Sequence, residues 1–476
     1  MPFMFPGGAN QGPPVGGCDY VEEAVFSETV NGINEAISNV SANVDSVIAD
    51  IDAVSEDVGT VSANVTDLTA YVGYVPADVW GLEADFQNSV FTRLGASVGK
   101  NGGADFDNVE CFGGRRRCNV SDDGTINAYY GDETYVEDGS NGQVMVYQPK
   151  FYYKVVPLKT EKIVGGKGFH LRKARYYVSP TYKEGFKLHP AFVKNGAEVN
   201  YALIGAYEGS VYDVSEAAYI SDDAQVADFI VGTGDKLSSI ANAKPANGKS
   251  QSFVRRNCGV LAENRGAGWS QEYAAVIAAD QLLMVVEYGT FNMQDAIGLG
   301  YVNDPSGGSN NYSMITGSTS GFGNASGMAD GDNGMASVSY RGEENPWGNI
   351  FKYVDGINVY RNELYVTDHG FTEDTADLPY VNAGVTIAKT TGYISAFAYN
   401  EPFDWLFFAS EVLGNTSVPV GDRHTASAQN DSFAAIRYGG RWSGGLTDGP
   451  FFYLADITNT TQNVGQNGRL VYVPTA

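Results

Sequence analysis

Residues 26–75 read FSETVNGINEAISNVSANVDSVIADIDAVSEDVGTVSANVTDLTAYVGYV. Throughout this stretch apolar residues recur at alternating steps of four and three, which is the heptad period of a coiled coil. A period of 3.5 residues held over this length is hard to place on a straight helix packed against its own domain, so that alternative is disfavoured. The stretch therefore predicts a coiled-coil stalk.

The core positions of these heptads predict the number of strands in the stalk. The a and d positions are nearly all Val or Ile, and β-branched side chains at both positions favour three strands over two. We therefore expect a parallel homotrimer. The residues predicted to form its interface are Ile33, Ile37, Val40, Val44, Val47, Ile51, Val54, Val58, Val61, Val65 and Leu68.

The composition predicts a β-rich body after the stalk. The chain has 476 residues, including 58 Gly, 30 Tyr and 24 Phe, a profile typical of short strands and tight turns. Its formal net charge of −26 disfavours nucleic acid and anionic membrane surfaces as partners. The N-terminus has no apolar signal and no run of roughly eighteen apolar residues occurs, so we expect neither standard export nor membrane insertion.

Shifts in composition along the chain predict four segments. A Gly- and Pro-rich segment at 1–25 is expected to dock on a larger partner, and the stalk follows at 26–75. Turn signals dominate 76–145, which predicts a β-rich collar, and 146–476 forms the head. The predicted fold class is therefore α+β.

Hydrophobic patterns predict individual elements in the collar and the head. The predicted strands are a pair over 84–94 turned at Gln87-Asn88, then 144–147 and 151–156, and the predicted helices are 224–229 and 270–288.

The polar motifs of the chain predict no catalytic residue and no metal centre. Cys111 and Cys118 are separated by six residues, a spacing that fits no common zinc pattern but leaves a disulfide open. No His-Glu-x-x-His pair, nucleophile elbow or phosphate loop occurs, and His170 and His189 lie in an aromatic stretch where packing is the better interpretation. The 56 acidic residues leave open a depolymerase that uses two carboxylates.

Two parts of the head resemble a known family. Residues 340–353, YRGEENPWGNIFKY, are similar to the core motif of the C-type-lectin branch that includes formylglycine-generating enzymes. Residues 437–443, 449–454 and 467–472 are similar to the variable region of proteins diversified by retroelements, such as phage tropism determinants. The resemblance extends over about 145–476 and includes tail proteins of gut bacteriophages and prophages.

The resemblance implies a C-type-lectin-like head in which a rigid scaffold displays a receptor-binding face. Formylglycine-generating enzymes act through C-terminal cysteines, and this chain has none after Cys258, so that activity is not implied. The residues matched to the scaffold are Gly439, Gly440, Trp442, Phe451, Gly468, Arg469 and Leu470. The residues matched to the displayed positions are Arg423, His424, Arg441, Ser443, Thr447, Asp448, Tyr453 and Asp456, and for each the alternative is an ordinary solvated loop side chain.

Calcium is the one cofactor that the sequence keeps open; no other is expected. Residues 330–334, DGDNG, resemble the start of an acidic calcium loop, but Arg341 stands where an EF-hand carries its closing Glu. A looser site at Asp132, Glu133 or Asp138 remains an alternative.

We therefore expect a homotrimeric bacteriophage tail fibre, located in the virion tail after synthesis in the host cytoplasm. Its N-terminus would dock on other tail or baseplate proteins, and its head would bind a bacterial surface protein or glycan without chemistry. One alternative is a tail spike depolymerase. Another is a purely structural tail or baseplate subunit, which would bury the loops between Arg441 and Asn463 against neighbours.

Overall fold

The computed structural model describes residues 19–71, 77–220, 227–248, 253–306, 312–414, 418–427 and 431–475, with the side chains of the first helix described at 25–55 and 58. The chain divides into two compact units, residues 1–72 and residues 73–476. The first unit contains one long helix, and the second is β-rich with few helices.

The helix of the first unit, α1 (Asp19–Tyr71), spans most of the predicted heptad stretch. Its apolar heptad side chains are exposed in the single chain; Ile37, for example, is 61% exposed. An apolar stripe left in water is unfavourable, so the helix requires a partner surface, and the trimer stays a prediction. The predicted interface residues described as exposed are Ile33, Ile37, Val40, Val44, Val47, Ile51, Val54 and Val58. The side chains of Val61, Val65 and Leu68, and residues 1–18 of the attachment segment, lie outside the described residues.

Strands make up most of the second unit. In chain order they are β1 (Trp80–Asp85), β2 (Val90–Gly95), β3 (Arg116–Val120), β4 (Ile126–Tyr129), β5 (Gln143–Pro149), β6 (Tyr152–Lys162), β7 (Phe169–Ser179), β8 (Lys187–Leu188), β9 (Val193–Lys194), β10 (Ala197–Glu198), β11 (Tyr201–Gly205), β12 (Ser210–Asp213), β13 (Ala218–Tyr219), β14 (Lys236–Ser238), β15 (Trp269–Gln271), β16 (Gly327–Met328), β17 (Val338–Tyr340), β18 (Glu343–Glu344), β19 (Phe351–Tyr353), β20 (Ile357–Tyr360), β21 (Glu363–Val366), β22 (Val381–Thr386), β23 (Gly392–Tyr399), β24 (Ala409–Leu413), β25 (Arg423–Thr425), β26 (Phe433–Tyr438), β27 (Tyr453–Ile457), β28 (Gln466–Asn467) and β29 (Leu470–Tyr472). The α-helices are α2 (Glu110–Gly113), α3 (Arg255–Glu263), α4 (Ala274–Tyr288) and α5 (Met293–Ala296). Short 3₁₀ helices occur at Ala104–Phe106, Pro190–Phe192, Ser320–Phe322, Glu401–Phe403 and Gly445–Thr447.

A sheet of fifteen strands forms the main layer of the second unit. Its strand order is β2-β1-β7-β23-β25-β27-β26-β20-β21-β22, with β6, β8, β19, β24 and β28 attached beside this path. The strand pair predicted over 84–94 is confirmed as β1 and β2, joined by a turn at 86–89 that includes the predicted Gln87-Asn88. The core strands predicted at 144–147 and 151–156 are confirmed as β5 and the first part of β6.

Helix α4 lies in the main hydrophobic core and packs against β1 and β7. It confirms the helix predicted over 270–288 from Ala274 onward, whereas Ser270 and Gln271 lie in β15. Every residue from Ala274 to Glu287 is buried. Such burial on all sides explains why the helix is mostly apolar, and its buried polar residues Asp280, Gln281 and Glu287 all contact other protein groups. The helix ends at Gly289, which adopts the left-handed conformation of a C-cap with φ of 71°.

The predicted boundary between a collar at 76–145 and a head at 146–476 is not found. A second sheet, with strand order β15-β29-β11-β5-β3-β4, contains β5, which crosses residue 145. In the main sheet β1 pairs directly with β7. Strand pairing therefore joins the two predicted segments into one unit. Small sheets β10-β9, β13-β12-β14 and β16-β17-β18 complete this unit.

The described residues correct one further prediction and decide the disulfide that the sequence left open. In the helix predicted at 224–229, residues 227–229 are not helical, and 224–226 lie outside the described residues. Cys111 and Cys118 are free thiols rather than a disulfide, because each is buried in a different hydrophobic cluster. Among the described helices, none has the length and apolar character needed to span a membrane.

Candidate functional site

The 441–448 loop, which carries half of the residues predicted to be displayed, lies between β26 and β27. The glycine pair before it, Gly439-Gly440, has φ angles of 82° and 85°, in the left-handed region that glycine adopts without strain. A Cβ atom on Gly440 would lie 2.2 Å from the carboxyl carbon of Asp448. The glycine pair therefore allows the chain to turn tightly around Asp448.

Asp448 holds both ends of the 441–448 loop. Its buried carboxylate accepts the backbone N–H of Arg441 at 2.6 Å and the hydroxyl of Thr447 at 2.8 Å. Burial raises the pKa of Asp448 to about 7, although both hydrogen bonds favour the charged form. The loop is thus ordered by an internal acid rather than by contacts on its outer surface.

Asp422 is a second buried acid, in contact with the residues that follow the loop. One carboxyl oxygen accepts the backbone N–H of Phe451 at 2.6 Å, and the other has no hydrogen-bond partner among the described residues. A Cβ atom on Gly449 would lie 2.1 Å from that second oxygen. Burial raises the pKa of Asp422 to about 8, and the negative charge of Asp448 contributes to the rise.

The raised pKa of Asp422 predicts a pH-dependent stability that Asp422→Asn should remove. The folded protein binds more protons than the unfolded chain between about pH 4 and about pH 8, so this contribution to stability falls as pH rises through that window. The melting temperature of the Asn variant, followed by tryptophan fluorescence, should therefore exceed that of the wild type by a margin that grows from about pH 5 to about pH 9. The exposed Asp332→Asn is the matched control, and a constant margin for Asp422→Asn would contradict the prediction.

Trp442 fixes the 441–448 loop to the core motif at 340–353. Its backbone N–H donates to the carbonyl of Asn349 at 3.0 Å, and its carbonyl accepts the N–H of Asp304 at 2.7 Å. The buried indole meets the ring of Tyr312 edge to face, with the centroids 6.2 Å apart. The loop is therefore tied to two other segments of the chain.

The two stretches that resemble a known family meet in space. The N–H of Gly348 donates to the carbonyl of Gly439 at 2.7 Å. The guanidinium of Arg469 donates to the carbonyls of Glu344 at 2.7 Å and Asn345 at 3.0 Å. Residues far apart in the sequence thus form one hydrogen-bonded support for the loop.

The residues predicted to form the scaffold are all buried. The tightest contact is at Gly468, where a Cβ atom would lie 2.1 Å from the Sγ of Cys258. Only glycine fits at this position without displacing the side chain of Cys258. The buried scaffold residues are Gly439, Gly440, Trp442, Phe451, Gly468, Arg469 and Leu470.

The outer surface of the 441–448 loop is accessible. The half-exposed Arg441 guanidinium lies 5.7 Å from the ring centroid of Phe351, so its charge is presented over an aromatic support. Leu446, which the sequence analysis did not single out, is 58% exposed. A lone exposed Leu carries no recognisable sequence signal. The exposed or half-exposed side chains of the loop are Arg441, Ser443, Leu446 and Thr447.

Two other residues predicted to be displayed are also accessible. Arg423 is exposed on β25, and Asp456 is half-exposed on β27, where it pairs with Arg437. The distribution of accessible residues over three elements means that the predicted set is only partly gathered on the 441–448 loop.

The display predicted for His424, Asp448 and Tyr453 is wrong, because all three side chains are buried. The ring of His424 lies with Nε2 2.9 Å from a backbone carbonyl, and burial lowers its pKa to about 4. The ring of Tyr453 stacks on Phe408 with centroids 4.2 Å apart, and its hydroxyl accepts a hydrogen bond from Gln281 on α4. Asp448 faces inward to hold the loop.

A buried ionic cluster beneath the scaffold was not predicted. The guanidinium of Arg115, on the chain before β3, pairs with Asp280 of α4 and lies 2.7 Å from the carboxylate of Glu343. The guanidinium of Arg469 lies 3.4 Å from the same Glu343 and 4.0 Å from Glu272. Four distant segments are joined by these contacts. In the sequence, the only sign of this cluster is the run Arg115-Arg116-Arg117, because alternate residues of a strand point to opposite faces. Which of the three arginines point inward cannot be read until the register of the strand is known.

The acidic residues of the core motif bind protein groups. Glu343 pairs with the two arginines, while Glu344 accepts the backbone N–H groups of Gly317 at 2.8 Å and Thr319 at 2.7 Å. Within the described ranges, no group of three or more His, Cys, Asp or Glu side chains is placed to hold a metal ion. Calcium binding therefore remains an untested expectation.

Comparisons with known proteins give only a distant likeness. No family model matches the chain, and no match is found among curated proteins. Solved structures that align with it include the Major Tropism Determinant U1 variant, 11% identical, and the P3c variant, 13% identical. Each alignment covers 75% of this chain and 71% of the other, with a TM-score of 0.24. At that TM-score no argument about fold or function rests on the likeness.

Proposed function

We propose that this chain is a homotrimeric receptor-binding adhesin of a bacteriophage tail, which attaches the virion to the host bacterial surface through its 441–448 loop. In this proposal the head is C-type-lectin-like, the N-terminus docks on other tail or baseplate proteins, and the ligand is a bacterial surface protein or glycan. Attachment proceeds by binding alone, with no catalytic residue.

The observation that carries the proposal is the internal anchoring of the 441–448 loop. Because Asp448, Trp442 and Thr447 hold the loop by internal hydrogen bonds, the side chains of Arg441, Ser443 and Leu446 are not needed to hold it. A surface of this kind tolerates substitution without loss of the fold and loses little conformational entropy when it binds.

The accessible side chains of the loop favour binding over a depolymerase and define a test against a purely structural subunit. Arginine is a residue type enriched at protein interfaces, and the exposed Leu446 adds apolar area beside it. A depolymerase would need two accessible carboxyl groups, whereas Asp422 and Asp448 beside the loop are both buried. A structural subunit would cover Arg441, Ser443 and Leu446 with a neighbour, and that alternative predicts that their substitution leaves adhesion to cells unchanged.

Three copies on one stalk would also suit attachment. Linking weak sites converts later binding events into intramolecular ones, and avidity can exceed a single-site affinity by about a hundredfold or more. A modest single-site affinity would therefore suffice on a repetitive cell surface.

The proposal predicts that Arg441→Ala combined with Leu446→Ala strongly reduces adhesion of the purified full-length protein to susceptible host cells. Loss of one central arginine in an interface commonly costs more than about 1 kcal/mol, and three linked sites multiply the effect. We expect at least a tenfold fall in bound protein, measured by flow cytometry of labelled protein on cells, with an unchanged melting temperature and molar mass.

Arg116→Ala is the matched control, because Arg116 is also an exposed arginine over an aromatic ring, that of Tyr129 at 4.1 Å. Its adhesion should equal that of the wild type, and repeating the assay with a chelator tests the calcium expectation. Undiminished adhesion of the double variant would refute the assignment of receptor binding to the 441–448 loop. Release of glycan fragments by the wild type would favour the depolymerase instead.

A further inference from the structure

A separate pocket of about 240 Å³ opens on the second unit, and none of its lining residues belongs to the 441–448 loop. It lies where the first turn of α4 meets the end of β21, the start of β22 and two of the 3₁₀ helices. The lining residues that matter here are Pro190, Val366, Asp368, His369, Phe403 and Trp405. The adhesin proposal does not use this pocket.

The floor of the pocket is aromatic and packed against a buried ring. Trp405 is only 5% exposed, and its ring centroid lies 6.5 Å from that of Phe403 and 6.3 Å from that of His189. His189 is fully buried, and desolvation lowers its pKa to about 3, so it packs as a neutral ring. Pro190 and Val366 add aliphatic walls. The floor thus offers an apolar surface made of two aromatic rings tilted by 46° to each other.

One edge of the pocket is polar. The carboxylate of Asp368 pairs with Nδ1 of His369, and the two side chains remain 26% and 39% exposed, so both keep polar atoms available to a ligand. The ammonium of Lys194 lies within electrostatic range of Asp368 and 4.4 Å from the ring centroid of Phe371. Lys194 itself does not line the pocket, so the charge presented at this edge is that of the Asp368 carboxylate, which disfavours an anionic ligand.

The loop that carries this edge is held in place before any ligand arrives. The hydroxyl of Thr367 donates to the carbonyl of His369 at 2.8 Å, and the backbone N–H of Thr367 donates to the carbonyl of Gly356 at 3.0 Å. Further along, the hydroxyl of Tyr380 donates to the carbonyl of Thr372 at 2.7 Å. A preformed edge reduces the entropy that binding would otherwise cost.

We propose that this pocket binds one neutral pyranose ring, with a C–H face of the sugar against Phe403 and Trp405 and its hydroxyls on Asp368 and His369. An apolar lining with a few convergent polar groups is the usual form of a small-ligand site. The volume is below the roughly 300–1,000 Å³ typical of drug-sized ligands, which suits a single ring. The net charge of −26 and the carboxylate at the edge disfavour an acidic sugar.

Saturation-transfer difference NMR on the full-length protein tests this site. The probes are the methyl glycosides of glucose, galactose, mannose and N-acetylglucosamine, together with N-acetyl-tyrosinamide as an aromatic peptide mimic. We expect saturation of at least one glycoside, strongest at the C–H protons of one face. Asp368→Asn combined with Phe403→Ala should weaken that binding about tenfold or more.

Asp377→Asn is the matched control, because this exposed aspartate lies on the same loop but outside the pocket lining; it should bind like the wild type. His369→Ala removes only a half-exposed side chain and should also weaken binding. This single variant keeps the proposal testable if the double variant fails to fold. Absence of saturation for all four glycosides would overturn the proposal, as would glycoside binding that survives in the folded pocket variants. Saturation of N-acetyl-tyrosinamide alone would assign the pocket to a peptide side chain instead. Arg441→Ala should leave the glycoside signal unchanged, so this test and the adhesion test can fail independently.

Discussion

Replacing Ile37 and Val44 with Asp is expected to convert the full-length protein from a three-chain assembly into single chains. Both residues occupy a positions of the heptads, and both are exposed on α1 in the isolated chain. In a trimer the two substitutions would place a ring of three carboxyl groups at each of two core layers. Each carboxyl must then either lose hydration or protonate, and both outcomes oppose association.

Light scattering coupled to size exclusion measures the outcome directly. The wild type should elute with three times the chain mass of 50.9 kDa, and the double variant with the mass of one chain. Ala42→Asp with Ala49→Asp is the matched control, because these residues occupy outward f positions of the same heptads. A wild type that is monomeric at micromolar concentration, or a double variant that stays trimeric, would refute the coiled-coil interpretation.

The helices and the local strand pairs were predictable because their signals are local. A heptad period and the helical spacing over 270–288 predicted α1 and α4, and alternation over 84–94 predicted β1 and β2. The pairing of β1 with β7 spans almost a hundred residues and leaves no local signal. The false boundary between a collar and a head follows from that limit.

The candidate site was predictable only in part. Paired glycines are typical of tight turns, and tryptophan is highly buried on average. The burial of Gly439, Gly440 and Trp442 therefore follows from residue type. For Asp448 and Tyr453, residue type favoured the surface, whereas the structure places the carboxylate inside its own loop and the phenol against Phe408. Which side of a loop a polar residue faces depends on tertiary contacts, and those contacts come from distant segments.

The ionic cluster around Arg115 shows the same limit in an extreme form. Three consecutive arginines at 115–117 indicate a solvated basic run when only the sequence is considered. Arg115 and Arg117 are instead fully buried, while Arg116 between them is exposed. Their carboxylate partners lie between 20 and 228 residues away along the chain.

Arg115→Met is expected to be the most destabilising single substitution in the second unit, at about 3–5 kcal/mol, because it leaves buried carboxylates without a counter-charge. Arg115 contacts Asp280 through both terminal nitrogens, Glu343 at 2.7 Å and Gln148 at 3.1 Å. Methionine fills much of the volume but satisfies none of these acceptors. Arg469 still lies near Glu343, so Asp280 is the carboxylate that loses most.

Urea unfolding followed by tryptophan fluorescence measures this loss selectively, since all five tryptophans lie in the second unit. Arg116→Met removes an exposed neighbour of identical chemistry and should cost about 1 kcal/mol or less, the value of an exposed cation–π contact. Adding Asp280→Asn to Arg115→Met should recover part of the loss, because the stranded charge is then absent. If Arg115→Met and Arg116→Met unfold at the same urea concentration, the buried cluster does not stabilise the fold in the way the contacts indicate. If only the recovery by Asp280→Asn fails, the loss arises from the space that the shorter methionine side chain leaves empty rather than from an unpaired charge.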